Sequence, residues 1–298
     1  MNGAASSSLR PHPSSLTEWA PDFLARSPMF EPLRARAAGF GTAWPCLDDL
    51  QRLLDRREPP VRTAGGMLLK LVPPGRRKHA LEEKHEARVR LAGELQVRER
   101  NWHDLFNVLT WLAFPRAKAA LNARHYAALE VQRAAGEGNR GPEQDALTLF
   151  DEGGIVVASD DADLLALLRD WRWKELFWGN RARLPERMRF LLFGHALYEK
   201  ALQPFIGITG RGILLRAESR LLAAPAASLL DALDTRIAEH ISDPGRFSTT
   251  RELAVVPILG VPGWCADNER EDYYENLDYF RPGRSTPTPT LPLDKGEV

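Results

Sequence analysis

Between Asn101 and Leu129 the chain reads NWHDLFNVLTWLAFPRAKAALNARHYAAL, two stretches apolar on almost every side of a helix that meet at Pro115. At the helical period, Trp102, Leu105, Phe106, Leu109, Leu112 and Ala113 cover one broad face, and Val108, Trp111 and Phe114 cover much of the other. Helices with so little polar surface belong inside a core. Asn101 stands where an N-cap is wanted, with Asp104 three residues on, a variant of the capping box. Pro115 ends the first helix and opens the second.

Elsewhere the pattern is more broken. Short Pro-punctuated helices open the folded part, and CLDDLQRLLDRR follows with Leu47, Leu50, Leu53 and Leu54 at helical spacing. MLLKLV (Met67–Val72), bounded by Gly65-Gly66 and Pro73-Pro74, predicts a strand. EARVRLAGELQVR predicts two short strands around Gly93, with a helix as competitor. DALTLFDEGGIVVAS predicts a hairpin, its loop at Asp151-Glu152-Gly153-Gly154. Helices are expected next over DDADLLALLRDW, WKELFWGNR, PERMRFLLFGHALYEKALQ and AASLLDALDTRIAEHIS, before a Gly/Pro-rich aromatic stretch from Thr249 to Arg284. The expected class is α+β, a helix-dominated single domain over residues 16–284 with a small antiparallel sheet or hairpins. A Ser/Pro-rich arm (1–15) and a Pro/Thr-rich tail (285–298) are expected to be disordered.

Composition narrows the function only by exclusion. Forty basic residues balance forty acidic ones, so no global field draws nucleic acid or an anionic membrane. The two cysteines, Cys46 and Cys265, are too far apart for a zinc knuckle or a disulfide scaffold. No run approaches the roughly 18 apolar residues of a membrane span. The N-terminal stretch lacks a signal peptide's apolar core, and a cytoplasmic protein is expected.

Chemistry is suggested by the polar side chains set into apolar helices. His103 and Asn107 lie one turn apart on the narrow polar strip of the first helix, and Lys118, Asn122 and His125 form one stripe on the second. Buried and unpaired, each such group would cost about 1–3 kcal/mol. A helical hairpin at Pro115 would turn the two stripes toward each other. His195 and Glu199, at i and i+4 on a third helix, can hold a divalent metal or act as an acid–base pair. The competing structural reading is that these pairs only satisfy one another and fix helix register.

A second candidate is RDWRWKELFWGNRARLPERMRF, in which Trp171, Trp173 and Trp178 alternate with Arg172, Arg181 and other basic residues. Such a patch could stack bases and neutralise phosphates. Its structural reading is a tryptophan core with a solvated arginine rim.

Five blocks, NWHDLFN, FPRAKAALNARH, ALTLFDEGG, FGHALYEKAL and GVPGWCADN, together resemble a family of bacterial proteins, mostly proteobacterial, catalogued only as a domain of unknown function. The likeness runs from about Trp19 to Arg284 and implies a bacterial cytoplasmic protein without implying a chemistry. Two functions therefore stand. The first is a hydrolase, metal-assisted in one branch, acting on a small-molecule substrate. Its catalytic candidates are His103, Asn107, Lys118, Asn122, His125 and Glu199, and a divalent metal would sit on His103, His125, His195 and Glu199. The second is a non-catalytic protein that binds nucleic acid or a protein partner through Trp171, Arg172, Trp173, Trp178 and Arg181.

Overall fold

The computed structural model describes residues 18–37, 39–75, 85–136 and 140–283. The expected N-terminal arm (1–15) and C-terminal tail (285–298) lie outside these residues. Two 3-10 turns lead into α1 (Glu31–Arg34), as the Pro-punctuated opening predicts, and α2 (Leu47–Asp55) buries Leu50 and Leu54. After β1 (Lys70–Val72) come α3 (His85–Ala92), β2 (Glu94–Gln96) and the long α4 (Trp102–Ala113) and α5 (Pro115–Ala135). Then follow α6 (Pro142–Gly153), β3 (Gly154–Ser159), α7 (Ala162–Arg169) and a π-helical turn at Glu175–Gly179. The chain continues through α8 (Leu184–Arg187), β4 (Met188–Leu192), α9 (His195–Ala201), β5 (Thr209–Arg216), α10 (Ser219–Leu222), α11 (Ala226–Ser242) and β6 (Ala254–Pro257).

The fold is helix-dominated α+β, as expected, with small sheets. The larger sheet has the order β4-β3-β5-β6, and its central pair, β3 and β5, is parallel while both edge strands are antiparallel. β3 is buried at all six positions, which is why GIVVAS reads as a continuous run rather than an alternation. β1 and β2 form a separate parallel pair.

Four expected elements take another form. The first arm of the expected hairpin is helix α6, not a strand. Pro142 fills its first position, Glu143 and Asp145 its first turn, and Ala146, Leu147 and Phe150 bury one stripe. The supposed loop at Asp151 and Glu152 is thus its last turn. EARVRLA is helix α3, and only the segment beyond Gly93 pairs as β2. The helix expected over PERMRFLLFGHALYEKALQ is split, because MRFLL enters the sheet beside β3. MLLKLV contributes only its second half to a strand.

α4 is buried on both faces, and Trp102, Phe106, Phe30 and Tyr198 stack in succession beneath it. Asn101 caps α4 as expected by accepting from the Asp104 N–H at 3.0 Å, but the Asp104 carboxylate turns to Arg98 instead of closing the box. The start of α5 has no cap from its own segment. Asp234, fully buried on α11, accepts from the Arg116 and Ala117 N–H groups at 3.0 and 2.9 Å. Asp234→Ala is therefore expected to destabilise the protein by about 2 kcal/mol, the cost of a lost cap with a buried acceptor removed. A drop in the urea midpoint at unchanged slope checks this, and an unchanged midpoint would show that water replaces the carboxylate.

Candidate metal centre

Helices α4, α6 and α9 converge on one point. Gly194 makes this possible, since a side chain there would lie 2.4 Å from the Glu152 carbonyl oxygen and the Gly154 nitrogen. Its N–H donates to the Gly154 carbonyl at 2.9 Å. The strand-to-helix turn before α9 is thereby pressed onto the end of α6, bringing His195 beside Asp151 and Glu152. α9 also packs against α4, which carries His103.

The two imidazoles meet edge to face, with His195 Nε2 3.1 Å from His103 Nε2. Glu152 Oε1 is 3.5 Å from His195 Nε2. One ligand atom from each of His103, Glu152 and His195 lies within 4.8 Å of the others. On its far side His103 Nδ1 donates to Glu199 Oε2 at 3.3 Å. A carboxylate can only accept, so the neutral His103 ring carries its proton on Nδ1 and offers a lone pair at Nε2. Asp151 Oδ2 stands 3.8 Å from His195 Nδ1, and that nitrogen is buried without a hydrogen-bond partner. Behind it, the Lys118 ammonium donates to Asp151 Oδ1 at 2.5 Å.

Neither neutral tautomer of His195 satisfies this arrangement. With its proton on Nε2 the ring can donate to His103, but Nδ1 then points a lone pair at a carboxylate. With its proton on Nδ1 the ring favours Asp151, but two Nε2 lone pairs face each other at 3.1 Å. Added positive charge between the rings removes the conflict, whether it comes as a proton or as a metal ion. Tetrahedral coordination at 2.0–2.1 Å separates neighbouring ligand atoms by about 3.3–3.4 Å, and the distances of 3.1 and 3.5 Å bracket that spacing.

The electrostatics agree with this charge pattern. The hydrogen bond to Glu199 raises the His103 pKa against the effect of burial. Burial pushes Asp151 up, but Lys118 and His195 outweigh it and hold the carboxyl at about 2. Glu152 is likewise pushed up by burial, yet ends below the ordinary carboxylate value because of His195 and His103.

The cluster opens into a cleft of about 690 Å³, lined among others by His103, Asn107, His125, Asp151, Glu152 and His195. Of the expected residues, His103, Asn107, His125 and His195 thus reach one cleft, with Glu199 behind His103. His125 lies outside the ligand group. Lys118 and Asn122 are buried behind the wall and do not face His103 and Asn107 across a hairpin. Lys118 pairs with Asp151 on α6, while Asn122 donates to the backbone and side chain of Glu86 on α3 at 2.9 and 2.7 Å. Glu152 is the member of this cluster that the sequence pattern does not single out, since Asp151-Glu152-Gly153-Gly154 reads as a hairpin loop. Its signal was the Pro142 start and the helical stripe of α6.

The Trp/Arg segment has a different setting. Trp173 is buried and donates its indole N–H to the Arg281 carbonyl at 2.9 Å, while Trp171 and Trp178 are half-buried. Arg172 pairs with Glu175, Arg181 with Glu269, and Lys174 with Glu271 and Glu275. Acidic residues between Glu269 and Glu275 thus pair with Arg181 and Lys174, while Arg172 is paired within its own segment.

No helix among the described residues is long and apolar enough to cross a membrane. No curated protein and no solved structure matches the chain. A family model described as "Protein of unknown function (DUF3025)" matches residues 69–284, a span that contains His103, Glu152, His195 and Glu199. The chain therefore belongs to the DUF3025 family.

Proposed function

We propose that this protein is a zinc-dependent hydrolase whose metal is held by His103, Glu152 and His195. The observation that carries the reading is the contact of two Nε2 atoms at 3.1 Å beside a carboxylate, with a second carboxylate facing each ring from behind. Two histidines and one glutamate form a known catalytic zinc set, which leaves a position open for water or substrate. Carboxylates behind the ligating imidazoles are the usual device for fixing ring orientation. When bound, the metal would supply Lewis acidity and activate a water molecule. Glu199 holds the His103 ring, Asp151 faces the His195 ring at 3.8 Å, and Lys118 holds Asp151. Asn107, whose Oδ1 is buried without a partner, and His125 both line the cleft and would orient a substrate there. The bacterial and cytoplasmic setting expected from the sequence belongs to the same proposal. Binding of nucleic acid or a protein partner at the Trp/Arg segment is the weaker alternative, since Arg172, Lys174 and Arg181 are already paired with carboxylates and Trp173 is buried.

The test is elemental analysis of untagged protein purified without chelator, alongside His195→Ala and His125→Ala. Wild type and His125→Ala are expected to carry about one zinc per chain, and His195→Ala to have lost it. Iron in its place would redirect the reading to an oxygenase, because two histidines and a carboxylate also ligate non-haem iron. Absence of any metal, together with no thermal stabilisation by added zinc, would sink the metal site itself.

A further inference from the structure

The cleft has a direction. His125, Leu129 and Gln132 on α5 and Gln144, Thr148 and Glu152 on α6 line one side of it together, the two helices being joined by the Gln132–Gln144 hydrogen bond at 2.5 Å. Glu86, Gln96 and Arg98 also line the cleft. The proposed metal lies at the C-terminal end of α6, whereas Arg140 lines the cleft just before that helix begins. From Arg140 to Glu152 the chain advances about 15–18 Å at the helical rise. Between the two ends the lining is mostly polar, with the amides of Gln96, Gln132 and Gln144, the Thr148 hydroxyl, and the carboxylates of Glu86 and Asp104 already bonded to Asn122 and Arg98. Leu129 and Pro74 are its apolar side chains.

The cations around this cleft differ in their commitments. Arg98 is tied to Asp104 by two side-chain hydrogen bonds at 2.8 Å, and Lys118 is tied to Asp151. Among the described residues Arg140 has no carboxylate partner. A guanidinium without a carboxylate partner among the described residues, at the mouth of a polar groove, is suited to a carboxylate or phosphate, which it can grip with two parallel hydrogen bonds.

Resting on the hydrolase reading, we infer that the substrate is an extended polar molecule carrying an anionic group, a carboxylate or a phosphate, that docks on Arg140 about 15 Å from the bond at the metal. The groove fixes the orientation: the reacting end enters toward His103 and His195, and the anion remains near the surface.

The test uses the full chain loaded with cobalt(II), whose visible spectrum reports ligands that reach the metal. It is titrated with straight-chain α,ω-dicarboxylates of increasing length, with the matched monocarboxylates, and with analogues ending in a phosphonate. Once the chain is long enough to span the groove, the dicarboxylate is expected to bind about tenfold more tightly than its monocarboxylate. That advantage should vanish in Arg140→Gln, an exposed substitution that leaves the metal untouched. A larger gain for the phosphonates would assign the anion as phosphate, and a larger gain for the dicarboxylates would assign it as carboxylate. Equal binding of mono- and dicarboxylates at every length, or an advantage that survives in Arg140→Gln, would overturn the inference while leaving the metal site standing. Failure to take up cobalt at all would instead remove the hydrolase reading, and this inference with it.

Discussion

Glu152→Gln is expected to weaken zinc binding by roughly 70- to 900-fold, and Glu199→Gln by less, about tenfold to a hundredfold. The two substitutions make the same chemical change, within the same cluster, to carboxylates on opposite sides of the imidazole pair. Glu152 Oε1 lies with the two Nε2 atoms, so its loss would remove one of the three proposed protein ligands. Structural zinc sites bind with roughly 10–16 kcal/mol over four ligands, or about 2.5–4 kcal/mol for each. Glu199 touches only the Nδ1 side of His103, at 3.3 Å. Its loss leaves the ligand in place but frees the ring to turn and lowers its basicity. Competition against a chromophoric chelator measures both variants on one scale. Equal losses would mean that Glu152 is not a ligand, and the rings would then be better read as a protonated pair held between carboxylates.

Much of this site was legible in the sequence because the information was local. Asn101, the apolar faces of α4 and the break at Pro115 all act within one or two turns, and they placed His103 and Asn107 on the one strip of α4 left polar. The i, i+4 spacing of His195 and Glu199 survived even though the helix expected around them is split by a strand. The partners were not legible. Glu199 hydrogen-bonds to His103, 96 positions away, and His195 faces residues on α6 and α4. Glu152 was lost because Asp-Glu-Gly-Gly is good turn chemistry, and the stripe of Ala146, Leu147 and Phe150 competes with an apparent alternation at Leu147 and Leu149. The close backbone approach at Gly194 decides which chain segments meet, and nothing in a linear pattern marks it.

The same limit explains Lys118. In the sequence it appears as one member of a polar stripe, whereas in the fold it is a buried cation with a single anionic partner. Its side chain is 5% exposed, its ammonium donates to Asp151, and it sits 5.7 Å from the centre of the Trp111 ring. Lys118→Met keeps the length and removes the charge, leaving Asp151 without its main counter-ion. Breaking a buried pair from one side typically costs about 3–5 kcal/mol, while replacing both partners by uncharged groups can be nearly neutral. Lys118→Met is accordingly expected to lose stability within that range, and Lys118→Met combined with Asp151→Asn to recover more than half of it. Urea unfolding in the presence of chelator is the proper measurement, because bound metal would otherwise add its own stabilisation. Simple additivity of the two substitutions would show that the pair is not coupled in the folded protein. The double variant also separates two reasons for a charged pair in this position. If it regains stability yet binds zinc poorly, Lys118 and Asp151 serve the orientation of His195. If it regains both, the pair serves packing alone, and His195 needs no carboxylate behind it.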